Sequence, residues 1–254
     1  MSRQGPRPLP RFLEPALPAE AREGHAMVLG PERAHQIGRV LRMEPGDVVG
    51  LLDGRGGVWR ARIRQLEARG AEVVLEDALP AAAEWSRPAT LAVAVLKGDR
   101  QEWLIEKAVE LGVPVLQPLL TARSVVRPET GGGKQRRWER LVDEATEQCE
   151  RARRMELRPV CRLSDLHVPP GWVLIVADEA AETAAASFAV WQEVVAAAVG
   201  VVVCIGPEGG WTDEEREMFR SSGARVLSLG STVLRAETAA VAAAVRLGWL
   251  LGAG

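Results

Sequence analysis

The chain has 254 residues, 47% hydrophobic and 26% charged, with a net charge of −2. That composition excludes a disordered or collagenous protein and suits one large globular domain or two smaller ones. Apolar runs of membrane-spanning length are all broken by charge, and the opening MSRQGPRPLP lacks an apolar signal core, so a cytoplasmic protein is expected.

In chain order, the first 75 residues read as short strands and turns. MVLG and DVVGLLDGRGGVWRARIRQLEARGAEVVLED alternate apolar runs with the turn signals DGRGG and ARGA. Only PERAHQIGRVLRM, 31–43, has helical spacing, which would put Ile37, Val40 and Leu41 on one side. After the proline- and alanine-rich LPAAAEWSRPAT the pattern changes. LAVAVL (91–96) predicts a buried strand, followed by a helix that Asp99 would cap, Glu102 would reach back to, and Gly112 would close. VPVLQPLL predicts the next strand, and KQRRWERLVDEATEQCERA a helix with Trp138, Leu141, Val142 and Ala145 inward. Strand WVLIVAD, helix SFAVWQEVVAAAV, strand VVVCIG, helix TDEEREMFRSS, strand RVLSLG and helix ETAAVAAAVRLGWLL complete the chain. Uniformly apolar strands alternating with helices predict an α/β domain, its parallel sheet covered on both faces.

Residues 1–75 and 121–162 are net basic, whereas 76–120 and 163–254 are net acidic. Two basic blocks of this kind are a footprint for a polyanion. Cys149, Cys161 and Cys204 are odd in number and form no C-x-x-C pair, so they read as reduced thiols. His25, His35 and His167 are scattered, and no metal is expected. G-x-G-x-x-G, G-x-x-x-x-G-K-[ST] and G-x-S-x-G are all absent, which leaves dinucleotide, P-loop and serine-nucleophile chemistry without support.

Two loops stand out. IGPEGGWTDEE, 205–215, sits between a buried strand and a helix that Thr212 would cap with Glu215. Its Gly206, Gly209 and Gly210 would let a ligand approach the backbone or permit positive φ. LGSTVLRAETAA, 229–240, carries Leu229, Val233 and Leu234 in a loop that should be polar, a wall suited to a flat apolar ligand such as adenine. Arg235 and Glu237 follow at the start of the last helix. A tight turn with nothing bound and a mutual salt bridge remain the plain readings of these features.

These two loops resemble the carboxyl-terminal motifs of the SPOUT (α/β-knot) RNA methyltransferases. Within them the chain looks like the RsmE family, which methylates N3 of a uridine in 16S ribosomal RNA. RAHQIGRVLRMEPGD, KGDRQEWLIEKAVELGV, RSVV and EATEQCERAR match in the family's order. The chain departs from the family pattern at Thr232, where an arginine is usual, and near Met155, where a proline is usual.

The resemblance implies a PUA-like RNA-binding β-barrel over 1–76 and a trefoil-knotted SPOUT α/β domain over 77–254. It further implies a homodimer with S-adenosyl-L-methionine held by Ile205, Gly206, Glu208, Gly209, Gly210, Leu229, Gly230, Val233 and Leu234. Arg235, Glu237 and Glu208 are the expected catalytic residues, one to stabilise charge on the base and a carboxylate to take its proton. Arg11, His35, Arg39, Arg42, Arg123, Arg127, Arg151, Arg153 and Arg154 are the expected contacts to 16S ribosomal RNA or the small subunit. A non-catalytic RNA-binding or assembly protein on this fold, and a methyltransferase of another nucleotide, are the alternatives.

Overall fold

The computed structural model describes residues 9–124, 132–179 and 187–252. The chain forms two compact units: Met1–Ala82 with Thr146–Arg154, and Ala83–Ala145 with Met155–Gly254. The sequence expectation placed one boundary at 76/77 and assigned everything after it to a single domain. By its contacts the first unit extends to Ala82 and takes in residues 146–154.

In that first unit β1 (Arg11–Leu13), β2 (Ala26–Leu29), β3 (Val48–Leu52), β4 (Val58–Glu67) and β5 (Gly70–Ala78) form a mixed sheet in the order β1-β3-β4-β5-β2. The β1–β3 pair is parallel and the others are antiparallel. Both turn signals hold: Leu52 faces Val58 across DGRGG, and Glu67 faces Gly70 across the second turn. Asp53 shapes the first, accepting from Arg55 N at 2.7 Å and Gly57 N at 2.8 Å. Register shifts in β4 bend the sheet around a core that includes Phe12, Ile37, Leu51, Ile63 and Val73.

The helix expected over 31–43 is shorter and changes type. α1 (Pro31–His35) gives way to a π turn over Gln36–Val40, with Leu41 N donating to Gln36 O at 3.0 Å. The wider turn rotates Val40 away from Ile37, so Ile37 is buried while Val40 is exposed. Segment 146–154 completes this unit. Ala152 packs with Leu13, Leu52 and Val58, and Glu147 accepts from Leu13 N at 2.9 Å and pairs with Arg33.

The second unit is all parallel. β6 (Ala89–Ala94), β7 (Val115–Leu120), β8 (Glu156–Leu157), β10 (Trp172–Ala177), β11 (Gly200–Ile205) and β12 (Arg225–Leu227) lie in the order β12-β10-β11-β6-β7-β8, with β9 (Cys161–Arg162) also on β7. Every residue of β6 and β11 is buried, as continuous apolar strands require in a covered sheet. The helices are α2 (Asp99–Glu110), α3 (Gly133–Gln148, whose last turn from Thr146 counts with the first unit), α4 (Phe188–Ala196), α5 (Asp213–Ser221) and α6 (Ala236–Leu250). Trp138, Val142 and Ala145 of α3 are buried as expected, and Leu141 is half-buried. Two short strands, β8 and β9, escape sequence reading because two residues carry no period.

The cap of α2 also differs. Gly98, at φ +61°, occupies the N-cap position, and Asp99 is the first helical residue without a capping hydrogen bond. Gln101 does the local work instead: buried, it accepts from Leu96 N at 2.9 Å. Gln101→Ala would leave that buried N–H unsatisfied, a loss of about 1–3 kcal/mol. A lowered urea midpoint relative to wild type is the expected result, and an unchanged midpoint would refute this role.

Candidate active site

Strand register decides where the loops meet. Ala177, the last residue of β10, is level with Ile205 of β11 on one side and Leu227 of β12 on the other. The three loops that follow these strands therefore emerge side by side at the carboxyl edge, where parallel α/β sheets bind ligands. They enclose a cavity lined by Asp178 and Glu179 after β10, by Gly206, Pro207, Glu208, Gly210 and Trp211 after β11, and by Ser228 to Leu234 after β12. Ile205, Ala236 and Ala239 supply further apolar wall.

Each loop is pinned. Trp211 is buried and donates its indole N–H to Ala177 O at 3.0 Å, while its ring meets Phe219 edge-on at 4.9 Å. The β11 loop is thereby laced across the end of β10. Behind it, α5 opens with the expected capping box: Thr212 Oγ1 accepts from Glu215 N at 3.2 Å, and Glu215 accepts from Thr212 N at 2.9 Å. The other Glu215 oxygen accepts from Ala122 N at 2.8 Å, tying the cap to the loop after β7. Asp178 is held by Arg216 of α5 at 2.7 and 3.2 Å. After β12, Ser228 O accepts from the Trp191 indole and from Arg246, both at 3.3 Å, and Arg246 also donates to Leu229 O at 2.8 Å.

The glycines of the β11 loop separate by role. Gly210 has φ +69°, which only glycine adopts freely. A Cβ on Gly206 would lie 3.0 Å from the Trp211 ring, so that glycine makes room for the indole as well as lining the cavity. Gly209 is not among the lining residues; Arg123 fills the space beside it and donates to Gly209 O at 2.6 Å. The other expected ligand-binding positions, Ile205, Gly206, Glu208, Gly210, Leu229, Gly230, Val233 and Leu234, all line the cavity. Val233 does so from an outward position, 78% exposed, rather than buried as the apolar loop suggested.

Of the expected catalytic residues, Arg235 and Glu237 are not among those that line this cavity. Glu208 lines it and pairs with Arg100 from the first turn of α2. Arg100 also lies 3.9 Å from Glu237, which is 8% exposed. Arg235 is the N-cap residue of α6, exposed, its guanidinium making no hydrogen bond or ion pair among the described residues. The mutual Arg235–Glu237 salt bridge considered from sequence is thus replaced by an Arg100–Glu237 pair. Sequence reading missed Arg100, Asp178, Trp191, Trp211, Arg216 and Arg246. The signal for Arg100 was its place just beyond a fully apolar strand, in KGDR; the rest are long-range partners.

Among the expected RNA contacts, His35, Arg39, Arg42, Arg123 and Arg153 are exposed. Arg42 adopts φ +56°, a strained value for a side-chain-bearing residue. Arg11 is partly occupied by Glu150 at 3.4 Å, and Arg154 is half-buried. Arg151 is only 5% exposed, so burial removes it from the phosphate-contacting set. Arg127 lies outside the described residues. No group of His, Cys, Asp and Glu able to hold a metal occurs among the described residues, and no helix there is long and apolar enough to cross a membrane.

This architecture is that of an α/β domain with a cavity where converging loops meet at the carboxyl edge of a parallel sheet. The description "RNA methyltransferase domain" matches residues 83–248, and "RNA methyltransferase PUA domain" matches 29–76. Ribosomal RNA small subunit methyltransferase E of Synechocystis sp. is 35% identical over 89% of this chain and 73% of its own length. The protein of that name from Aquifex aeolicus is 29% identical over 88% and 94%. Among solved structures, ribosomal RNA small subunit methyltransferase E from Neisseria gonorrhoeae bound to S-adenosyl methionine superposes with a TM-score of 0.82 at 28% identity, covering 95% of this chain and 98% of that one. A putative methyltransferase from Legionella pneumophila with the bound cofactor SAM gives 0.81 at 31% identity over the same shares. The chain belongs to this RNA methyltransferase family.

The contrast between two glycines tests the site's construction. Gly206→Ala drives a methyl group against Trp211 and should cost about 1–3 kcal/mol as overpacking. Gly209→Ala meets only the pliable Arg123 stem and should stay within about 0.5 kcal/mol, as surface changes do. Urea unfolding of both variants gives the comparison; equal losses would refute the division of roles.

Proposed function

We propose that the protein transfers a methyl group from S-adenosylmethionine to N3 of a uridine in the RNA of the small ribosomal subunit. The observation that carries this reading is the three-loop cavity, lined by both apolar side chains and carboxylates. Ile205, Leu229, Leu234, Ala236 and Ala239 suit an adenine ring, and Glu179 and Glu208 complement the positive charge of a sulfonium amino acid. The residues present therefore fit the donor. Bound there, the donor supplies an already activated methyl group.

What remains for the chain is positioning and a proton. N3 of neutral uracil carries a hydrogen, and negative charge spreads to the ring oxygens as it leaves. Arg235, exposed and without a partner among the described residues, is the group to stabilise that charge, and Glu208 or Glu237 the group to accept the proton. Because N3 is hidden in a base pair, an unpaired uridine is the substrate form.

The first unit, with residues 1–76 at its heart, holds RNA, and the region from 77 onward carries the chemistry. Arg11, His35, Arg39, Arg42, Arg153 and Arg154 of the first unit and Arg123 of the second supply cations for phosphate. On α6, Val241, Val245 and Trp249 recur at four-residue spacing on the outer face, with Val245 40% and Trp249 76% exposed. Such an apolar stripe supports a homodimer through α6. The trefoil knot belongs to the same reading, supported by a strand order in which β10 and β11 separate β12 from β6. A cytoplasmic location follows from the ribosomal substrate.

Calorimetric titration with S-adenosylmethionine and mass mapping of small-subunit RNA from cells lacking the protein test the reading together. Donor binding and one missing methyl group on a uridine are expected. RNA binding without donor binding would instead support a non-catalytic assembly protein. Arg235→Ala should lower the single-turnover rate by on the order of 10²-fold, the usual loss of an electrostatic stabiliser. A full rate in that variant would refute its role. RNA affinity should also fall steeply with salt; a flat response would contradict the arginine set.

A further inference from the structure

We propose that Arg100 is a positioning residue for methyl transfer, clamping Glu208 to α2 and leaving Glu237 Oε2 free to take the proton from the target base. The proposal rests on the function proposed above. Nη1 of Arg100 pairs with Glu208 Oε1 and lies 3.9 Å from Glu237 Oε2. One guanidinium nitrogen therefore serves two carboxylates that come from different elements, the β11 loop and the first turn of α6.

The two carboxylates are not equivalent. Glu208 takes the short contact and is committed to Arg100. Glu237 Oε2 is buried and accepts no hydrogen bond among the described residues. A buried carboxylate oxygen without a donor is costly, and native structures seldom keep one without a use. The Arg100 charge makes this orphan tolerable, while 3.9 Å is too long for a hydrogen bond that would occupy it. Glu237 is not itself a lining residue, but its helical neighbours Ala236 and Ala239 line the cavity, and its Oε2 accepts no hydrogen bond among the described residues. A uracil N3–H is a donor of the required kind. In the step, N3 gives its proton to Glu237 Oε2 and keeps the electron pair. N3 then forms the new bond to the methyl carbon with that pair, and the carbon–sulfur pair stays on sulfur.

Glu208 gains a different role. Through Arg100 it ties the loop that carries Trp211 to α2, so it acts as an anchor and not as the proton acceptor. Without Arg100, two carboxylates would face each other uncompensated at the cavity edge, and Glu237 would lose its fixed place.

Single-turnover transfer to small subunits, KM for that RNA and donor affinity by calorimetry, measured on Arg100→Ala, Arg100→Lys, Glu237→Gln and the Arg100→Ala/Glu237→Gln double variant, test the proposal. Arg100→Ala and Glu237→Gln should each slow transfer by on the order of 10²-fold, the low end for loss of a general base. KM and donor affinity should stay within about threefold of wild type, as for an interaction made only in the transition state. Arg100→Lys, which keeps the charge, should recover to within about tenfold of wild type, and the double variant should be no slower than Glu237→Gln alone. Four results would overturn the proposal: a raised KM with additive losses, which marks Arg100 as a phosphate contact; weakened donor binding in Glu237→Gln, which marks Glu237 as a donor ligand; no rescue by lysine; or an unaffected Arg100→Ala. A wild-type protein that neither binds the donor nor methylates the RNA would defeat the proposed function itself, a result distinct from these four.

Discussion

A single indole hydrogen bond, from Trp211 Nε1 to the carbonyl of Ala177, sets the terms for the catalytic unit. It joins the loop after β11 to the last residue of β10, the strand that lies between β11 and β12. Because Ala177 is level with both Ile205 and Leu227, fixing one loop there fixes its relation to the loop after β12 as well. The cavity is the space these loops leave, and its shape depends on the indole staying put. Phe219 against its edge and glycine at 206 beneath its face are the conditions for that.

Around this pin the site is organised by arginines that hold backbone or carboxylates in place. Arg216 holds Asp178, Arg246 holds Ser228 and Leu229, Arg123 holds Gly209, and Arg100 holds Glu208. Desolvation pulls the Arg246 guanidinium below its ordinary value, as burial beside Trp191 would. Arg235 stands apart in having no partner among the described residues.

Local rules carried far where the physics is local. The Thr212–Glu215 box, the two hairpin turns and the buried parallel strands each depend on residues within a few positions, and each stands as read. The failures come where another group takes the place the reading had given, whether near in the chain or far along it. Asp99 looks like a cap until Gly98 takes the position and Gln101 takes Leu96 N. Gly206 makes room for Trp211 as well as lining the cavity, and Arg123 fills the space beside Gly209. Arg151 looks like surface charge until it proves buried. The π turn at 36–40 is a local event, yet the amphipathic spacing conceals it, because Ile37 and Leu41 fit either helix type. Asp178 and Glu179 were overlooked for a different reason: the loop after β10 carries no glycine to draw attention to it.

The membership of Thr146–Arg154 in the first unit has a consequence for biosynthesis. When residue 82 has been synthesised, Leu13, Leu52 and Val58 still lack Ala152, and Leu13 N still lacks the Glu147 carboxylate. At roughly 5–20 residues per second, the missing stretch arrives roughly four to fifteen seconds later. During that interval the nascent amino-terminal sheet has an uncovered apolar seam, so its completion waits on a segment that the ribosome has yet to make. A gene cut at the apparent domain border would make that wait permanent.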